Sequence, residues 1–97
     1  MMKYLRDESE KWEDMFLEDI KWVGGYKLRY KFADGKIMEY DIYDYAVENK
    51  KLFQPMLDNP EIVKDFKRDG KTYIFWNDLM DFSSEFLYCI GTIVKEY

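Results

Sequence analysis

Apolar and polar positions alternate most sharply between Lys27 and Ile42. Leu28, Tyr30 and Phe32 interleave with Lys27, Arg29 and Lys31. After Ala33-Asp34-Gly35, Met38, Tyr40 and Ile42 interleave with Ile37, Glu39 and Asp41. A period of two marks a strand with one buried face, so this stretch predicts a β-hairpin. A two-residue Asp34-Gly35 loop would set Tyr30 opposite Glu39 and Leu28 opposite Asp41, mixing apolar side chains with carboxylates. A three-residue Ala33-Asp34-Gly35 loop sets Phe32 opposite Lys36, Tyr30 opposite Met38 and Leu28 opposite Tyr40. On the other face Arg29 then meets Glu39 and Lys27 meets Asp41. Each such pair contributes about 0.2–1 kcal/mol, and a one-residue slip would turn the apolar row to solvent. The expectation is a type I turn closed by Gly35 in the left-handed conformation, with a bulge.

The pattern elsewhere is less regular. Residues 20–23 read as a short strand ended by Gly24-Gly25. Tyr43, Ala46, Val47 and Lys50 can share one face of a short helix. Leu52, Phe53, Met56 and Leu57, interrupted by Pro55, predict a turn anchored in the core. Asn59-Pro60-Glu61 predicts the start of a helix about one turn long, with Asn59 as its cap. Phe66, Arg68-Asp69-Gly70-Lys71 and the run to Trp76 predict a second hairpin. The nearly continuous apolar run of that hairpin suggests that both its faces are covered. Residues 83–96 predict a C-terminal helix capped by Asp81 or Ser83, with Glu85 in the first turn where it suits the dipole. Phe82, Phe86, Ile90, Ile93 and Val94 form its stripe, with Leu87 beside it. Gly91 within it costs about 1 kcal/mol relative to Ala and points to close packing on the sheet.

Residues 1–19 are acidic. Seven carboxylates stand between Asp7 and Asp19 against one base, Lys11. Trp12, Met15 and Phe16 share helical spacing, so a helix over residues 8–17 is expected. The plain reading lays Trp12 and Phe16 on the sheet; the sharper one makes the segment an acidic arm that docks on a basic partner. The fold class is therefore α+β. A small antiparallel meander sheet, two β-hairpins plus a short N-terminal strand, is packed by a C-terminal helix and an N-terminal helix. Residues 1–97 form one domain, with residues 1–19 as a helical extension and 20–88 as the core.

Composition narrows the function classes. Nine Tyr, seven Phe and three Trp exceed what a disordered chain carries. The net charge of −5 argues against general affinity for phosphate backbones. Lys64, Lys67, Arg68 and Lys71, interleaved with Phe66 and Tyr73, form the one local basic cluster that could contact nucleic acid; a solvated hairpin tip is its plainer reading. With no His, the Ser-His-Asp and Cys-His nucleophile systems and His-ligated metals are excluded. The single Cys89 leaves no internal disulfide and no structural zinc set, and reads as a small packing residue. No catalytic, cofactor-binding or metal-binding set is expected. The one enzyme-like constellation is the carboxylate pair Asp78 and Asp81 near Trp76, for which a turn residue and a helix cap are the simpler roles. No leader pattern and no bilayer-length apolar run is seen, so a cytoplasmic protein in a reducing compartment is expected. Surplus Tyr and Trp favour a protein partner, small and basic, with a homo-oligomer also open.

The order Leu28-x-Tyr30-x-Phe32-x-Asp34-Gly35, then Tyr40-Asp41-Ile42, then Leu57 with Asp58-x-Pro60, then Trp76 and Asp81-Phe82-Ser83-x-Glu85-x-Leu87-Tyr88, resembles the prokaryotic domain of unknown function 2442 family. The resemblance covers about residues 20–88. Leu79 stands where that family usually has Gly, and Ser84 where it often has Pro. The resemblance implies a small α+β domain with a meandering antiparallel sheet and no known catalysis. It also implies an antitoxin-like role as one option, since members are often encoded beside small partner proteins. Its motif residues Asp34, Gly35, Trp76, Asp81, Ser83, Glu85 and Tyr88, with Asp78 of the carboxylate pair, join Trp12 and Phe16 as candidate interaction positions.

Overall fold

The first hairpin has the expected register. In the computed structural model, which describes residues 12–97, β2 (Lys27–Phe32) and β3 (Ile37–Asp41) pair antiparallel, with Tyr30 opposite Met38, Leu28 opposite Tyr40 and Arg29 opposite Glu39. The Phe32 N–H donates to the Lys36 carbonyl and the Gly35 N–H to the Phe32 carbonyl, both at 2.9 Å. Gly35 has φ +93°, the left-handed region that this loop demands.

β1 (Leu17–Gly24) pairs antiparallel with β2 and is longer than the sequence suggests. Before it, Trp12–Met15 form a 3-10 turn. The expected helix over 8–17 therefore stops by Met15, and its residues 8–11 lie outside the described residues. The reason is Leu17, which is fully buried and donates its N–H to the Lys71 carbonyl at 2.9 Å. That bond to the second hairpin draws the chain into strand.

Two helices come next. α1 (Tyr43–Glu48) buries Ala46; α2 (Lys50–Asp58) buries Phe53 and Met56 and carries Pro55 inside it, where a turn was expected. Pro55 removes one backbone donor, but it is exposed, so water can reach the carbonyl left without a partner. The i, i+3 pair of Phe53 and Met56 then wins. Asn59 caps a 3-10 turn (Pro60–Asp65), its Oδ1 accepting from the Glu61 N–H at 3.2 Å. This segment spans six residues, more than the single turn expected.

The strands make two sheets, not one meander. β4 (Lys67–Asp69), β5 (Tyr73–Phe75) and β6 (Asp81–Ser83) form a three-stranded antiparallel sheet in that order. The other sheet has the order β1-β2-β3-β7, with β7 at Thr92–Ile93. Among the described residues, hydrogen bonds join the sheets at two places. One is the Leu17 bond already named. The other is Arg68, which donates from Nη2 to the Leu17 carbonyl at 2.7 Å and from Nη1 to the Glu18 carbonyl at 3.4 Å.

α3 (Ser84–Ile90) is shorter than the expected 83–96 helix. Ser83 caps it, its Oγ accepting from the Phe86 N–H at 3.0 Å, with Glu85 in the first turn. Asp81 is not the cap; it belongs to β6. The helix ends because Gly91 lies against β2 and β3. A Cβ there would collide with the Tyr30 hydroxyl and come within 3.0 Å of the Leu87 carbonyl and 3.2 Å of the Glu39 carbonyl. The chain then pairs with β3, leaving Ile90 and Ile93 exposed rather than continuing an apolar stripe. Cys89 is exposed as well, not a packing residue.

One aromatic cluster fills the core between the sheets and helices. The Phe82 ring stacks on Phe53 at 5.7 Å and on Phe86 at 5.0 Å. It meets Trp76 and Tyr45 edge-on at 5.7 and 5.1 Å. Offset-stacked and edge-to-face pairs of this kind each add about 0.5–1.5 kcal/mol beyond area burial.

Candidate functional site

The second sheet has one covered face and one open face. The registers place Arg68, Ile74 and Phe82 in its middle row, with Ile74 and Phe82 buried. The rows on either side are Lys67–Phe75–Asp81 and Asp69–Tyr73–Ser83. Alternation turns these residues to the opposite side. Tyr73 is 45% exposed, and Asp69 and Asp81 are exposed too. The expectation that both faces of this hairpin are covered is therefore corrected.

The β5–β6 loop frames this open face. The Trp76 N–H donates to the Met80 carbonyl at 2.9 Å, and Asn77 Oδ1 accepts from the Leu79 and Met80 N–H groups, both at 2.8 Å. Met80 is pinned into the core, while Asp78 and Leu79 project. Asp69, Tyr73, Phe75, Asn77, Asp78 and Asp81 then line a shallow depression of about 410 Å³. Two rings form its floor, and three carboxylates surround it, with Lys67 as the cation of the flanking row. That combination attracts a cationic side chain by charge and by the ring faces.

Asp78 and Asp81 do meet at one site, but it is open and wet. Both are exposed, whereas a catalytic carboxylic acid usually needs an apolar enclosure to stay protonated near neutral pH. No group of three or more His, Cys, Asp or Glu residues among the described residues could hold a metal ion.

Trp76 is not a surface anchor. It is 9% exposed, and its indole N–H donates to the buried Val63 carbonyl at 3.1 Å. Trp76 supports the site from beneath, through Phe82. Phe16 is half-buried, and its carbonyl accepts from the Ala33 N–H at 2.9 Å, a structural contact. The side chain of Trp12 lies outside the described residues. Ser83 and Glu85 serve the start of α3.

Asp34 and Tyr88, far apart in sequence, come together elsewhere, at the hairpin tip that Gly35 closes. Lys36 Nζ donates to Asp34 Oδ2 at 2.8 Å and to the Tyr88 hydroxyl at 2.7 Å, and that hydroxyl donates to Asp34 Oδ2 at 2.7 Å. Burial works against the Asp34 carboxylate, but the bonds from Lys36 and Tyr88 outweigh it and hold its pKa below the usual range. The bonds to Asp34 and Tyr88 push the Lys36 ammonium up. Each polar group is satisfied by the other two, so the trio is a latch between the hairpin tip and α3.

The basic cluster around the second hairpin is dispersed. Lys64 pairs with Glu61 at 2.6 Å, Arg68 serves the β1 carbonyls, and Lys71 lies 3.8 Å from Glu18. Phe66 packs against the core. Tyr73 faces the carboxylates, and Phe75, the ring opposite Lys67, shares its row with Asp81, so the one cation of the cluster that stands beside rings does so in an acidic setting.

No family model matches the chain, and no curated protein and no solved structure matches it. No helix among the described residues is long and apolar enough to cross a membrane. The residues that sequence reasoning missed are Asp69 and Phe75, together with the acidic setting of Tyr73. The signal was present: Tyr73 and Phe75 stand two apart, out of phase with Ile74 and Trp76. Only the pairing with β6 shows which phase is inside.

Proposed function

We propose that this protein is a non-catalytic interaction module that docks a basic segment of a partner protein on the open face of its second sheet. One observation carries the reading: Tyr73 and Phe75 lie side by side on an uncovered sheet face ringed by Asp69, Asp78 and Asp81. Rings give rigid contact area at low entropic cost. Carboxylates at the rim speed encounter with a cationic partner and select its charge. The resemblance to a family with antitoxin-like members agrees with a small basic partner. A cytoplasmic setting suits the exposed Cys89.

The test uses a nonapeptide of alternating arginine and glycine as the probe, titrated calorimetrically at low and at moderate salt. Binding weakens with salt, since exposed charges are screened within about 8 Å at physiological ionic strength. Tyr73→Ala removes a cation–π contact worth about 0.5–1 kcal/mol, a loss of roughly 2–5-fold in affinity. Asp81→Asn weakens binding to a similar degree. Affinity unchanged by both substitutions refutes this face as the docking site.

A further inference from the structure

The outer face of the four-stranded sheet carries a second surface. Lys21 pairs with Arg29, Arg29 with Glu39, and Glu39 with Thr92, so one cross-strand row runs over β1, β2, β3 and β7. After β7 the chain folds back along this row. The Val94 N–H donates to the Ile37 carbonyl at 2.9 Å. Arg29 keeps its Nε on Glu39 Oε1 at 2.8 Å and donates from Nη1 to the Tyr97 carbonyl at 3.1 Å. The Lys21 ammonium sits 4.2 Å from the centre of the Tyr97 ring.

The fit is incomplete at one point. The Tyr97 hydroxyl is buried beside the Asp19 carboxylate and makes no hydrogen bond of ordinary geometry. Burial first, and then the charge of Asp19 and a poorly aligned contact with its carboxylate, push this phenol up to about 12. A buried hydroxyl so poorly met works against the few surface contacts that hold the tail. The surface beneath is set by strand pairing and by the Arg29–Glu39 contact, neither of which needs the tail. The tail is thus a replaceable occupant of a surface that is formed without it.

We propose that the Lys21–Arg29 row is a docking groove for an extended, tyrosine-bearing protein segment, filled in cis by residues 94–97 and open to a partner's segment when they lift away. The tail itself shows the chemistry accepted: a ring against Lys21, a backbone carbonyl on Arg29 and a backbone N–H on the β3 edge. Lys95 and Glu96 are exposed, so a partner need share only the tyrosine and the extended backbone. The groove is on the other sheet from the acidic face, and the two proposals stand or fall separately.

The probe is a fluorophore-labelled peptide with the sequence of residues 92–97, read by anisotropy against the full chain and its full-length Tyr97→Ala variant. A competing tail raises the apparent Kd by the inverse of the vacated fraction, so the variant binds the peptide at least about tenfold more tightly than the wild type. Adding Lys21→Met reverses most of that gain, and a peptide with Ala for its Tyr loses it. Equal affinity for wild type and Tyr97→Ala overturns the proposal, as does the lack of saturable binding by a variant with the wild-type circular dichroism. Should Tyr97→Ala fail to fold, amide exchange at Val94 of the wild-type chain decides. Excess peptide speeds that exchange if the tail is displaced, and an unchanged rate refutes displacement.

Discussion

The hydroxyl of Tyr88 on α3 donates to the carboxylate of Asp34 at the tip of the first hairpin, 54 positions away in sequence and 2.7 Å away in space. Lys36 bonds to both partners. This trio ties the last helix to the tip of the first hairpin, and Phe32 packs edge-on beneath Tyr88 at 4.9 Å. Because Lys36 is largely solvated, each link is worth about what a surface pair is worth, well under the value of a buried one. Tyr88→Phe is expected to lower stability by about 1 kcal/mol in urea unfolding. A double-mutant cycle with Asp34→Ala should return a coupling of about 0.5–1 kcal/mol.

The same trio sets a pH dependence. The Asp34 carboxyl has a depressed pKa, so its contribution is present above the unfolded value of about 3.9 and is lost as the pH falls through the folded value. The Lys36 pKa is raised, so its contribution is full below about 10.4 and is lost as the pH rises through the folded value. The stability difference between wild type and Asp34→Ala should therefore be flat from about pH 5 to 9 and shrink on either side. A difference that stays constant down to about pH 2 contradicts the latch.

Gly91 and Tyr30 form a close approach. The Tyr30 hydroxyl donates to the Leu87 carbonyl at 2.8 Å, inside the core, and a Cβ on Gly91 would collide with that hydroxyl. Gly91→Ala should cost about 1–3 kcal/mol, as overpacking does. Tyr30→Phe should cost about 1 kcal/mol by removing one of the two hydrogen bonds that the Leu87 carbonyl accepts, the other coming from the Gly91 N–H at 3.1 Å. Together they should cost less than the sum, since removing the hydroxyl makes room for the methyl. Strict additivity in thermal and urea unfolding would show that the hydroxyl is not what Gly91 accommodates.

Arg68 holds the two sheets together through two carbonyls of β1. A planar fork can serve both at once, and a lysine ammonium cannot do so with the same geometry. Arg68→Lys should lower stability by about 1 kcal/mol. It should also speed amide exchange at Leu17, whose N–H bonds to Lys71 in the same seam. Unchanged exchange at Leu17 would assign the seam to the backbone bonds alone.

The two sides of the second sheet should respond oppositely to truncation. Phe82→Ala opens a cavity among Phe53, Trp76 and Phe86 and should cost about 3–5 kcal/mol. Tyr73→Ala, on the open face, should stay within about 0.5 kcal/mol of wild type. Equal losses in calorimetric unfolding would mean that Tyr73 is a packing residue and that the face is not free to bind.

The open face was the least legible part of the chain. Tyr73, Ile74, Phe75 and Trp76 are all apolar or aromatic, so hydropathy does not separate inside from outside. The burial of Ile74 against Phe82 makes that separation, and Phe82 lies in a strand that reads as a helix cap. Tyr88 and Asp34 both stand in the motif, yet nothing in their spacing says that they touch. Residues 7–19 hold the densest run of carboxylates in the sequence, while among the described residues Asp69, Asp78 and Asp81 converge in space.

What the sequence alone determined is local. The register of the first hairpin is dictated by period-two alternation and by charges that must face charges. Asn59 caps the 3-10 turn at Pro60, because its side-chain oxygen lies within reach of a backbone N–H two residues on, whereas the sequence leaves Asp81 and Ser83 both open as the cap of α3 and the placing of Asp81 in β6 decides for Ser83. The division into two sheets, the early end of α3 and the turn of the tail into β7 were decided by tertiary structure. Residues 84–94 keep a helical period, but helix continuation competes with the β3 edge and with the space between Gly91 and the Tyr30 hydroxyl. Hydrogen-bonding groups of β3 that would otherwise need water outweigh the last turn of a helix whose exposed stripe had no surface to cover.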